Sequence, residues 1–88
     1  MRVKLGRLVW RILWEGCPKD RDGECDDPST KGRAIRISQN LSEKDELETL
    51  IHEMLHACAW FLTEEFVTRT ARDISKVLWK LGYRKHDK

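Results

Sequence analysis

The chain has 88 residues, 40% of them hydrophobic and 36% charged, with a formal net charge of +2. That is the composition of one folded domain rather than a disordered chain, and the charge is too small to argue for a nucleic-acid-binding surface. No apolar run approaches the roughly 18 residues of a membrane span, and a chain this short buries only about 60–65% of its unfolded surface, so its core is marginal and a bound metal would help to hold it.

Residues 2–14 interleave Val, Leu, Ile and Trp with charges. In an extended segment Val3, Leu5, Val9 and Leu13 share one face, and Leu8, Trp10, Ile12 and Trp14 share the other. Apolar residues on both faces fit a strand covered on both sides, or one followed by a bulge near Gly6; a helix is the rival, and the β-branched residues and Trp favour the strand. The scattered basic residues do not form the separate charged and apolar regions of a secretion signal. The odd count of three cysteines argues against a disulfide framework. An intracellular protein is expected. Residues 15–33 hold Gly16, Pro18, Gly23, Pro28 and Gly32 and read as one long loop. Cys17 and Cys25 within it are spaced too widely for the usual close pair of zinc-ligand cysteines, which favours a local structural contact.

"RAIRIS", 33–38, reads as a second strand with Ile35 and Ile37 on one face. A helix follows over about 42–61. Ser42 with Asp45 makes a capping-box-like start, and Leu47, Leu50, Ile51, Met54, Cys58, Phe61 and Leu62 form its apolar face, with Cys58 a buried thiol. Thr63 is the N-cap of a second helix over about 64–81, with Glu64 and Glu65 in its first turn. Val67, Thr70, Ala71, Ile74, Val77, Leu78 and Leu81 are its expected buried stripe, and Gly82 its stop. The polar tail "YRKHDK" is expected to fray. The fold class predicted for this single domain is α+β: a small sheet, with strands at about 2–14 and 33–38, packed with two main helices.

Within the first helix stands "HEMLH", 52–56. Positions four apart on a helix lie on one face, so His52 and His56 can direct imidazole nitrogens at one ion. They lie away from the centre of the apolar face, toward a cleft. Glu53, directly after His52, falls beside such an ion rather than on it. There a carboxylate can take a proton from a metal-activated water. Catalytic zinc takes three protein ligands and keeps a position open. Glu64, in line with Val67 and Ala71 on the inward stripe, is favoured as the third; Glu65, about 100° round the helix, is the alternative. Asp73, His86 and the Cys17/Cys25 pair are remoter candidates.

These residues resemble a known family. "LETLIHEMLHA" at 47–57 resembles the active-site helix of zincin metallopeptidases of the gluzincin type. The run from "IRIS" through "LETLIHEMLHACAW" and "EEFVTRTARDISKVLWKLGY", about residues 33–83, is similar to small SprT-like metallopeptidases of phage and bacterial genomes. The resemblance implies a minimal zincin-like domain holding one Zn2+ per chain on His52, His56 and a glutamate of the next helix, which falls on Glu64 or Glu65. It implies Glu53 as the catalytic base and hydrolysis of peptide bonds in a bacterial or phage-infected cytoplasm. Zincins bind substrate as an added strand, which implies pairing at the edge of "RAIRIS", around Ile35 and Ile37. The chain departs from the larger peptidases in the short step from His56 to Glu64 and in the lack of a second subdomain.

The expected partner is a peptide or protein substrate, with no nucleic acid and no membrane, and the protein is expected to be a monomer or weak homodimer. The alternative is a non-enzymatic zinc-stabilised protein-binding module, a phage regulatory protein, whose sign would be a fourth protein ligand. A third reading is a metal-free interaction protein with both histidines on a solvated face. Trp10, Trp14, Trp60 and Trp79 read mainly as packing, with Trp60 placed to roof the site. Arg33, Arg36, Arg69 and Arg72 read as solvated surface, and Asp26 and Asp27 as turn residues within reach of the cleft.

Overall fold

A computed structural model describes residues 1–16 and 21–85. The order is β1 (Arg2–Leu5), β2 (Leu8–Glu15), β3 (Gly23–Cys25), β4 (Ala34–Ser38), α1 (Glu43–Cys58) and α2 (Glu64–Lys80). The fold is α+β. Its one sheet has the order β1-β2-β4-β3, with β2 parallel to β4 and the other pairs antiparallel.

The expected strand over 2–14 is a hairpin. Gly6 and Arg7 both have positive φ, 58° and 74°, the backbone of a primed two-residue turn. Val3 faces Trp10 and Leu5 faces Leu8 across it. The reversal moves Val3 and Leu5 to the same side as Trp10, Ile12 and Trp14, where all pack into the core. Only this face is covered by a helix, and Val9 on the other is 53% exposed.

The expected loop over 15–33 contains β3, which returns antiparallel to β4. Asp26 pins the return: its carboxylate accepts from the Ala34 N–H at 2.9 Å and from Arg36 at 2.8 Å. Burial pushes the Asp26 carboxyl up, but the Arg36 and Ala34 hydrogen bonds outweigh it and hold the group below its ordinary range. Arg36 also meets Glu24 and Glu15, so it joins β2, β3 and β4 on the face away from α1. Asp27 caps a turn, accepting from the N–H and hydroxyl of Ser29. Because β3 takes the outer place, β4 is an interior strand. Ile35 and Ile37 are fully buried core residues, and the expected edge at "RAIRIS" is instead the edge of β3.

Both helices start where their caps predict. Ser42 Oγ accepts from the Asp45 N–H, and Thr63 Oγ1 from the Phe66 N–H. Gly82, at φ 96°, follows the end of α2. α1 stops at Cys58 rather than 61, so its apolar row ends early. Cys58 is exposed, not a buried thiol, and Phe61 in the turn beyond is exposed too. Among the described residues α2 packs on α1 and on no other element. A helix with one neighbour buries a narrow row, here Val67, Ala71 and Ser75, while Ile74, Val77 and Leu81 of the expected stripe stay exposed. Among the described residues no helix is long and apolar enough to cross a membrane.

α1 lies against β3 at Gly23. A Cβ there would come within 2.7 Å of Thr49 Cγ2, 3.0 Å of the Arg36 carbonyl oxygen and 3.3 Å of Glu53 Cγ. Gly23→Ala is therefore expected to cost about 1–3 kcal/mol by overpacking. Thermal unfolding should show it as a fall in Tm of about 4–8 °C per kcal/mol.

Candidate metal centre

α1 carries His52 and His56 one turn apart, and the Thr63 cap makes Glu64 the first residue of α2. The short connection sets that first turn against the histidines. Glu64 Oε1 lies 2.7 Å from His56 Nε2, and Oε2 lies 3.1 Å from His52 Nε2. One donor atom from each of the three residues falls within 4.8 Å of the others. Both imidazoles are largely shielded, while the Glu64 side chain is 70% exposed. Glu65 is exposed and stands outside this group, as does Asp73. Cys17 and His86 lie outside the described residues.

The donor set is chemically suited to zinc: two imidazole nitrogens and a carboxylate, a combination found in catalytic sites. A tetrahedral ion with bonds of about 2.1 Å spaces its donors about 3.4 Å apart. The Glu64 contacts, at 2.7 and 3.1 Å, are shorter than that, and its side chain is exposed enough to give way. Without an ion the same atoms fit charge-assisted hydrogen bonds, each imidazole N–H donating to a carboxylate oxygen.

Glu53 is held differently. It is 7% exposed, packed between α1 and Gly23 of β3. It makes no hydrogen bond or ion pair with a described residue, and its carboxyl faces the same cleft as the histidines. Burial, then the negative charges of Glu64 and Glu24, push it up from 4.5 to about 7, with Arg21 opposing. A carboxyl largely withdrawn from water at the wall of a cleft is a candidate for acid–base work.

The cleft, about 640 Å³, opens between β3 and α1 and ends at Glu64. Trp60 lines it with its ring 6.2 Å from that of His56, whereas its expected place was on roughly the Glu53 side. Six lining residues were not foreseen as part of the cleft wall: Arg21, Asp22, Gly23 and Glu24 in and just before β3, and Glu48 and Thr49, one turn before His52. The i−4 spacing from His52 was a usable signal for Glu48; a three-residue strand had none. Cys25 also lines the cleft but does not join the donor group. Burial, then Glu53, Asp26 and Cys58, push its thiol up to about 12, so it stays protonated and inert near neutrality.

β3 brings a backbone edge to this cleft. Ser38 N–H donates to the Asp22 carbonyl and Asp26 N–H to the Ala34 carbonyl, which fixes the alternation of the ladder. Gly23 and Cys25 therefore turn their N–H and C=O groups outward, where no strand among the described residues pairs with them. Compared with family models, curated proteins and solved structures, the chain matches none.

In the metal-free chain, the folded state binds more protons than the unfolded state between pH 4.5 and about 7, because Glu53 is raised. That contribution to stability is full below 4.5 and is lost as the pH rises through about 7. Thermal unfolding with chelator present should show Tm falling across this window. Glu53→Gln should flatten the fall and be the more stable protein at pH 8.

Proposed function

We propose that the protein is a minimal zincin-like zinc metallopeptidase, hydrolysing peptide bonds with Glu53 as general base. The observation that carries this reading is the Glu53 side chain, 7% exposed, lining the cleft and without a hydrogen bond to a described residue, beside the convergent His52, His56 and Glu64 donors. Among the described residues no fourth donor joins that group, which supports a site with an open position over a closed structural one.

His52, His56 and Glu64 would hold the ion. When bound, zinc supplies a Lewis acid and lowers the pKa of water to about 7. Glu53 accepts the proton of the attacking water and delivers it to the leaving amine. The Glu53 side chain, largely withdrawn from water beside the donor group, is placed to take that proton and give it up again. The outward N–H and C=O groups of Gly23 and Cys25 pair with the substrate backbone as an added strand. Trp60 shields the His56 side of the cleft. The free thiols of Cys25 and Cys58 suit the reducing cytoplasm that this reading expects.

Elemental mass spectrometry of protein purified without chelator should find about one zinc per chain, lost in His56→Ala. Glu53→Gln should keep the metal and lose hydrolysis of an unstructured peptide by about 100-fold or more. No metal taken up even on titration, or full activity in Glu53→Gln, would overturn the reading.

A further inference from the structure

The first turns of α1 border a second cavity, of about 270 Å³, bounded also by β2 and the end of α2. Its walls combine aromatic faces with carboxylates: Trp14, Trp79 and Tyr83 with Glu43 and Glu46. Glu46 is set in advance. Trp14 Nε1–H donates to its Oε2 at 2.7 Å, and its side chain is only 17% exposed.

A cation already sits there. Lys85 Nζ lies 2.9 Å from that same Glu46 oxygen and 4.2 Å from the centre of the Trp14 ring. The Lys85 N–H donates to Glu43, and the Arg84 guanidinium covers the Trp79 ring at 3.4 Å. An electron-rich ring face beside a fixed carboxylate is the chemistry that selects an ammonium group. The occupant comes from an exposed tail, and its own side chain is 43% exposed. Space remains beside Lys85 while it is in place, walled also by Met1, Leu47 and Leu50.

We propose that this pocket is a binding site for a lysine side chain of a partner polypeptide, and that Lys85 is its occupant in cis. A lysine presented in trans takes the same position, over Trp14 and against Glu46, with Lys85 displaced to solvent. A short tether gives the tail a millimolar effective concentration, which weakens binding in trans by about tenfold when the pocket's own affinity is near 0.1 mM. None of these residues belongs to the proposed hydrolytic site, so the inference stands or falls apart from it.

The test titrates the full chain with Nα-acetyl-lysine N-methylamide, and with its norleucine counterpart, which keeps the stem and lacks the charge. The readout is the Trp14 indole N–H resonance, assigned by its loss in Trp14→Phe. In Lys85→Ala the lysine probe should shift this resonance at about tenfold lower concentration than in wild type, and the norleucine probe should not shift it. Adding Glu46→Gln to Lys85→Ala, with the fold checked by circular dichroism, should abolish the response. A resonance in Lys85→Ala that ignores the lysine probe, responds equally to norleucine, or survives Glu46→Gln would overturn the site. Equal titrations of wild type and Lys85→Ala would overturn the occupancy by Lys85.

Discussion

The contact between Gly23 and α1 governs much of the structure. α1 approaches β3 until Thr49 and Glu53 fill the space a side chain would take. That approach buries the Glu53 carboxyl and turns the histidine-bearing face of α1 alongside the outer edge of the sheet. A strand of only three residues can hold this place because its other side is secured by Asp26 and Arg36, through hydrogen bonds to Ala34 and ion pairs across three strands. Packing on one face and charge on the other fix one short segment.

The second constraint is the tight connection between the helices. α1 ends at Cys58, and the Thr63 cap restarts the chain as α2, so Glu64 can only fall near the last turns of α1. Each histidine then finds its own oxygen of one carboxylate. The Thr63 cap and a few turn residues are enough to bring Glu64 to both histidines. In a chain with so small a core, three donors drawn from both helices would also tie α2 to α1 when an ion is held.

The part of the site borne on helices was legible in the sequence because helical period is a local property. His52, Glu53 and His56 could be set on one helix from their spacing, and Glu64 preferred to Glu65 from its line with Val67 and Ala71. Ser42 and Thr63 marked both helix starts. The β part was less legible because strand pairing is non-local. Residues 2–14 looked like one strand until the left-handed Gly6–Arg7 turn divided them, and "GEC" has neither the length nor the residue types of a strand. Missing β3 moved the supposed substrate edge to β4, around Ile35 and Ile37, which belong to an interior strand. The α2 stripe was overdrawn for a different reason. Periodicity shows which residues share a face, but the number of neighbouring elements decides how much of that face is covered, and α2 has one.

That single neighbour has a consequence for motion. The sheet and α1 hold the larger core, whereas α2 adds Val67, Ala71 and Ser75 along one seam. Segments with few buried contacts open at a lower free energy than the whole molecule. Undocking of α2 would carry Glu64 away and leave the histidines and Glu53 in place on α1. The three donors thus belong to two cooperative units, and amide exchange in α2 should slow when they are bridged, while exchange in the central strands stays nearly constant. The donor group would then act as a latch on α2, which couples the order of this helix to the occupancy of the cleft.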